Sequence, residues 1–397
     1  MQPLKGITVV ALEHAIAAPF ATRQLADLGA RVIKVERPGV GDFARGYDSR
    51  VKGLASHFVW TNRSKESLTL DLKNAHAAAL LQRLVVEKAD VLVQNLAPGA
   101  AARLGLGFDR LSKLKPGIIV CDISGYGDDV QQPGPYRDKK AYDLLIQSEA
   151  GFVSVTGTPD EPSKAGASIA DIAAGMVAYS QILAALMQRM QTGQGQRIDV
   201  SMLEALAEWT SYPLYYAFEG QAPPPRTGAA HATIYPYGPF PAGGDGGTVM
   251  LGLQNEREWA RFCEHVLLQP ALATDPRFAG NARRVAAREL LQAIIVTAFS
   301  SLTAPQLAQR LEAAQIANAR VNTMQEVWDH PQLKARGRWR EVGTSAGPVP
   351  AMLPPGSWDT GPRMDPVPAL GEHTAAILAE LGLTNAAIAA LRAAEAI

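Results

Sequence analysis

The sequence predicts an α/β protein: a Rossmann-like large domain with a mainly parallel sheet, joined to a smaller α+β domain. Three observations point there. Apolar runs alternate with helical stretches over the first 200 residues, a proline-rich connector interrupts them near residue 220, and the strand signals beyond it are shorter.

ITVVAL (7–12) is a continuous apolar run, the pattern of a strand covered on both faces. Pro19 opens PFATRQLADLGA, in which Phe20, Leu25 and Leu28 keep helical spacing and Gly29 acts as a stop. RVIKVE (31–36) is the next strand and completes a βαβ unit. HAAALLQRLVVEKA (76–89) predicts a helix, and DVLVQN (90–95) and GIIVCDIS (117–124) predict strands. In the longest helix Ile169, Ile172, Met176, Tyr179, Leu183, Leu186 and Met190 recur every three or four residues, and TGQG (192–195) ends it. RIDVSM then leads into another helix.

After QAPPPRTG, the run TIYPYGPFPAGGDGGTVMLGL predicts an antiparallel hairpin turning at Gly243–Gly247. Helices follow to about residue 318, with IANARVN as a further short strand. PVPAMLPPGSWDTGPRMDPVPALGEHT is proline-rich without periodicity and predicts an extended excursion; amphipathic helices close the chain over 373–396. The expected division is 1–204 as the first part of the large domain, 205–224 as linker helix and connector, 225–325 as the small domain, and 326–397 as a return linker with the last helices of the large domain.

Lys plus Arg and Asp plus Glu each number 38, so the net charge is zero. A nucleic-acid binder or polybasic membrane protein would carry a basic excess, so an anionic ligand here needs a local cluster of cations. Cys121 and Cys263 are isolated and read as reduced thiols. The first twenty residues lack a signal-peptide layout, and no apolar run is expected to reach membrane-spanning length. A soluble, cytoplasmic protein is the expectation.

Ser168-x-x-Asp171 before an apolar run has the form of a capping box. The same position suits a nucleophile, because a carboxylate near free backbone N–H groups stays ionised and those groups can stabilise an oxyanion beside it. The residues alone leave both roles open. PGVGD (38–42) is glycine-rich, but no GxGxxG follows the first strand, so Glu36 is not read as a ribose-binding acid. Arg37, Lys73, Arg103, Lys139 and Lys140 fall near strand ends. Singly each reads as a solvated charge, whereas together at the ligand edge of a parallel sheet they can hold a polyphosphate. The seven histidines show no metal spacing, and no metal is expected; His231 alone lies in a dense polar–aromatic stretch.

LADLGARVIKVERPGVGD (25–42), SLTLDLKN (67–74), VLVQNLAPGAAARLGLG (91–107), KKAYDLLIQSEAG (139–151), ASIADIAAGM (167–176), TGQGQ (192–196) and LGEHT (370–374) stand in one order along the chain. Together they resemble the class III CoA-transferases, the family of formyl-CoA transferase and the carnitine CoA-transferase. The resemblance implies an interlocked homodimer, CoA thioesters as substrates, no permanently bound cofactor, and neither nucleic acid nor membrane as partner. Asp171 matches the acyl-accepting aspartate. Arg37, Leu70, Lys73, Asn95, Leu96, Arg103, Lys140 and Tyr142 match CoA-contacting positions, and Asp143 a supporting one. Ile16, also at the CoA site, stands where formyl-CoA transferase has a glutamine, and GGDGG does not match that enzyme's glycine flap.

Acyl-CoA racemases of the family place a His where this chain has Tyr142, and a phenol of ordinary pKa about 10 is a poor second base. RTGAAHATIYPYG and GLQNEREW resemble the dicarboxylate branch, which includes succinyl-CoA:glutarate and itaconate CoA-transferases. The implied donor is succinyl-CoA and the leading acceptor itaconate, with Arg45, Arg226 and His231 as candidates for the substrate carboxylate. A non-catalytic CoA- or nucleotide-binding protein is the alternative from another class.

Overall fold

The computed structural model describes residues 1–356 and 359–397. The chain forms two compact units, one of Met1–Phe152, Ala165–Ser211 and Gln332–Ile397, the other of Val153–Lys164 and Tyr212–Pro331.

The first unit begins β1 (Thr8–Leu12), α1 (Ala17–Asp27), β2 (Arg31–Glu36), α2 (Ser56–Asn62), β3 (Lys65–Thr69) and α3 (Ala75–Lys88). It continues with β4 (Val91–Gln94), α4 (Ala100–Arg103), α5 (Phe108–Leu114), β5 (Ile119–Ser124) and α6 (Asp143–Glu149). The one-turn α7 (Phe152–Val155) passes into the second unit, and the first unit resumes with α8 (Ile169–Thr192), β6 (Arg197–Ser201) and α9 (Met202–Trp209). All six strands are parallel, in the order β3-β2-β1-β4-β5-β6. Val9, Ala11, Val32, Val91 and Val93 pack on one face with α1 and α8; Val10, Leu12, Ile33, Leu68 and Leu92 pack on the other with α3 and the helix Thr374–Glu380. This is the doubly covered parallel sheet that the apolar runs predict.

Several expectations are corrected. The first helix starts at Ala17, so Pro19 is its third residue and costs no helical hydrogen bond there. The excursion after residue 326 contains an antiparallel hairpin, Trp339–Val342 with Val349–Met352; Ser357 and Trp358 lie outside the described residues. The chain then returns along β3, where the Thr69 N–H donates to Thr374 Oγ1 and the Gly371 N–H to Ser67 Oγ. Finally, α8 is long and apolar enough to cross a membrane, with mean hydropathy 1.6 over eighteen residues. Its Ala170, Ala173, Ala174 and Ala178 are buried in the core of this unit.

Small residues let α8 lie close on α1. A Cβ at Gly175 would come within 2.7 Å of the Ala17 carbonyl oxygen and 3.0 Å of the Phe20 ring. The second unit has its own core of Phe240, Trp259, Phe262, Phe278 and Phe299 under a three-stranded antiparallel sheet, β7 (Tyr237–Pro241), β8 (Thr248–Gly252) and β9 (Ala317–Arg320). The β7–β8 hairpin turns through GGDGG, and IANARVN supplies β9.

Gly175→Ala is expected to lower stability by about 1–3 kcal/mol, because the clash is with a backbone oxygen that cannot rotate away. Urea unfolding checks this: a midpoint equal to that of the unmodified protein would mean that α1 and α8 are not in tight contact there.

Candidate active site

In an open parallel sheet the ligand crevice lies beyond the carboxyl ends of the strands, where the strand order reverses. Here that is between β1 and β4. The two loops at this point are tied together: the His14 N–H donates to Asn95 Oδ1 and Asn95 Nδ2 donates to the His14 carbonyl, both at 2.9 Å. Ile16 follows β1, Arg37 follows β2, Leu70 and Lys73 follow β3, and Asn95, Leu96 and Arg103 follow β4. Lys140 and Tyr142 lie between β5 and α6. All nine proposed CoA contacts thus come from one edge of one sheet. Ile16 and Leu70 are buried; Arg37, Lys73, Arg103, Lys140 and Tyr142 are exposed. None of these four cations has an ion pair among the described residues. Lys139 differs. Its ammonium pairs with Glu149 and lies over the rings of Tyr126 and Tyr136, so it is held within the fold.

Beneath this edge is a set of buried charges that the sequence reading missed. Lys34 Nζ donates to Asp42 Oδ2 at 2.8 Å and lies 3.4 Å from Glu13 Oε1, while Lys65 Nζ donates to the same Glu13 oxygen at 2.6 Å. The side chains of Glu13, Lys34, Asp42 and Lys65 have essentially no exposure. Burial opposes the charge on Glu13, but the ammoniums of Lys65 and Lys34 hold its carboxyl below the ordinary range. For Lys65 burial prevails, and its ammonium is brought down to about 8. Asp42 Oδ1 also accepts from the Ala15 N–H at 3.1 Å and the Ala44 N–H at 2.9 Å. Ala15 is left-handed, with φ 60°, a conformation unfavourable for alanine that neighbouring bonds must hold.

Asp171 lies in the first turn of α8, half-buried. The expected capping box does not form, since Ser168 makes no side-chain cap. The cap comes from α6: Asp143 Oδ1 accepts from the N–H groups of Ala170 at 2.8 Å and Asp171 at 3.3 Å, while Gln147 holds Asp143 Oδ2 at 2.7 Å. Asp143 is 27 residues before Ala170, so no local spacing signals this contact. The Asp171 carboxyl is thereby left out of the cap. Burial, and then the charge of Asp143, push it up to about 7, opposed by the Ala17 N–H at the start of α1. The Tyr47 phenol feels this carboxylate too: burial and then the charges of Asp42, Asp171 and Tyr142 push it up. A carboxyl poised near neutrality beside a helix N-terminus can ionise and attack an electrophilic carbonyl.

The candidate readers of a substrate carboxylate are otherwise engaged. Arg45 makes a bidentate pair with Glu36, Nε and Nη2 each at 2.8 Å, reaches the Pro368 carbonyl and lies 3.7 Å above the Phe58 ring. Arg226 donates to the carbonyls of Thr158 at 2.9 Å and Pro159 at 2.8 Å, within the second unit. His231, in the same unit, accepts at Nδ1 from the N–H groups of Thr233 and Ile234 and stacks on Tyr237. Binding a diacid through either arginine requires breaking these bonds. No group of three or more His, Cys, Asp or Glu side chains suited to a metal occurs among the described residues.

The model of CoA-transferase family III matches residues 4–374. The chain belongs to this family. It is a CoA-transferase, and CoA thioesters are its substrates. The transferase is 37% identical over 391 residues to the succinate–glutarate CoA-transferase of Agrobacterium fabrum, covering 96% of each chain. It is 34% identical over 405 residues to the succinyl-CoA–D-citramalate CoA-transferase of Chloroflexus aurantiacus, covering 99% of this chain and 97% of the relative. A crystal structure of a CaiB/BaiF family protein from Brucella suis superposes with a TM-score of 0.82 at 34% identity, over 96% of this chain and 99% of that one.

The raised Asp171 pKa has a consequence for stability. Between the ordinary carboxyl value near 3.8 and about 7, the folded transferase holds a proton that the unfolded chain has released, so this group's contribution falls as pH rises through that window. Asp171→Asn is therefore expected to melt a few degrees Celsius above the unmodified transferase at pH 8, with the difference vanishing near pH 4. Thermal melts across this range test it, and a difference independent of pH would show that the carboxyl is not perturbed.

Proposed function

We propose that Asp171 is the nucleophile of a transferase that moves CoA from succinyl-CoA to a small dicarboxylate, with itaconate the first acceptor to try. The observation that carries this is the state of Asp171: released from capping by Asp143 and facing the Ala17 N–H at the start of α1, the helix that follows β1. The names of the relatives support the donor and the diacid class.

In this mechanism the ionised Asp171 oxygen attacks the thioester carbonyl carbon of the donor. The C–S bond breaks, giving CoA thiolate and a mixed anhydride. The thiolate then attacks the Asp171 acyl carbon, releasing succinate and leaving an aspartyl-CoA thioester. The acceptor carboxylate displaces the thiolate to form a second anhydride, and the thiolate attacks the acceptor's acyl carbon to regenerate Asp171. Ile16, Leu70, Asn95, Leu96 and Tyr142 line the CoA path, with Arg37, Lys73, Arg103 and Lys140 as its cations and Asp143 as support for the nucleophile. Tyr142 at the position of the racemases' histidine favours transfer over α-proton exchange. The assembly that fits the family resemblance is a homodimer.

Asp171→Ala is expected to lower turnover by at least about a thousandfold while CoA still binds. Hydroxylamine added during turnover with succinyl-CoA should leave a hydroxamate on Asp171, readable as a mass change on its peptide. Near-normal turnover of Asp171→Ala, or an unmodified peptide, would remove the aspartyl intermediate. A panel of itaconate, glutarate, mesaconate and butyrate as acceptors tests the substrate class, and equal use of butyrate would overturn the diacid assignment.

A further inference from the structure

We infer that Asp42 is a positioning residue for the transfer reaction: one of its oxygens fixes the start of α1 and the turn carrying Tyr47 at once, and so sets what faces Asp171. The inference rests on the proposed role of Asp171 as nucleophile.

Two loops converge on the turn of α8 that carries Asp171. One leads from β1 into α1, whose Ala17 carbonyl lies against Gly175, one turn after Asp171, and whose Ala17 N–H opposes the rise of the Asp171 pKa. The other follows β2 and carries Tyr47, whose phenol feels the Asp171 charge. Asp42 Oδ1 accepts from Ala15 in the first and from Ala44 in the second. Its other oxygen is anchored by Lys34 Nζ at 2.8 Å, and its own N–H donates to Glu36 Oε1 at 3.0 Å. The carboxylate is therefore immobile at both ends and has no exposure. Ala15 is held at φ 60° two residues before Ala17. Without an acceptor at Oδ1, nothing else among the described residues takes the Ala15 N–H, and alanine is free to leave the left-handed region. A rotation there re-aims the first N–H of α1. The cost of such a misplacement, of order 1 Å at reacting groups, reaches about a hundredfold in rate.

Removing Asp42 alone would leave Lys34 buried with less compensation, and that variant could fail to fold. The test is therefore made with Lys34→Met, comparing Asp42→Asn with Asp42→Ala. Asn keeps an oxygen for Ala15 and Ala44; Ala does not. The charged and titratable groups facing the site are Asp143 from α6, Tyr142 before it, Tyr47 after β2, and His14, whose Nδ1 lies 3.7 Å from Asp42 Oδ1; all are unchanged in both variants.

With succinyl-CoA and a dicarboxylate acceptor, Lys34→Met/Asp42→Ala is expected to show kcat reduced roughly ten- to a hundredfold, with the CoA dissociation constant within about twofold. The acid limb of its kcat/KM profile should move up by roughly half a pH unit, because the Ala17 N–H no longer favours the Asp171 carboxylate. Lys34→Met/Asp42→Asn should restore both. If the two double variants share one limb and one kcat while differing only in melting temperature, Asp42 is merely structural and the inference is overturned. Asp171→Asn is run alongside: its loss of turnover secures the nucleophile, so that an unchanged limb counts against Asp42 alone, whereas its retention of turnover overturns the proposed nucleophile.

Discussion

An ammonium with no route to water must find its anions inside the protein, and Lys34 sets that requirement within β2, beneath the sheet's ligand edge. Its carboxylates are Glu13, at the end of β1, and Asp42, beyond the end of β2. Two loops that would otherwise be free to vary are thereby tied to one point. Lys65 brings β3 into the same arrangement through Glu13, and donates further to the Pro19 carbonyl in α1 and to Asn62 in α2. Three strands and two helices thus share a single set of compensated charges. Such a set need not add stability over a well-packed apolar core. What it supplies here is placement, because each group satisfied fixes a loop beside the crevice.

Placement is what Asp171 needs. A carboxylate that capped its own helix would be spent on backbone N–H groups and held strongly acidic. The structure gives the capping to Asp143 and leaves Asp171 with one opposing contact, the Ala17 N–H, and a neighbouring negative charge. The close approach of α1 to α8 at Gly175 brings that N–H within reach. The poise of Asp171 near neutrality therefore depends on α6, α1 and α8 together, and on the buried charges beneath that orient α1.

The parallel sheet was legible because its strands are apolar on both faces, and RVIKVE emerged with its boundaries intact. The loops at the ligand edge were legible through family resemblance, since their residues occur in fixed strings. The charges inside were not. In RVIKVE, Lys34 and Glu36 flank Val35, and in KESLT, Lys65 and Ser67 recur at every second residue, as polar residues do on a strand with one wet face; only the tertiary fold shows α1 and α2 covering that face. The exchange of cap from Ser168 to Asp143 was equally hidden: Ser168-x-x-Asp171 satisfies the local pattern, and the residue that replaces it comes from another helix. Arg45 and Arg226 stand in the sequence as candidate carboxylate readers because a sequence shows charge without showing partners.

The fates of Arg37 and Arg45, eight residues apart, show how the edge separates two uses of positive charge. Arg45 meets Glu36, the Pro368 carbonyl and the Phe58 ring, so its donors are consumed in holding the return segment to β2. Arg37 is exposed and has no ion-pair partner among the described residues, and the same holds for Lys73, Arg103 and Lys140 on neighbouring loops. An arginine already paired in two directions gains little from an incoming anion, since every new bond replaces an old one. A solvated one gives up only water. In a chain whose charges sum to zero, attraction for a polyanion has to come from cations left unpaired by the fold; with Lys34, Lys65 and Arg45 paired below, Arg37, Lys73, Arg103 and Lys140 are the cations on these loops that the proposed site would offer to a CoA phosphate.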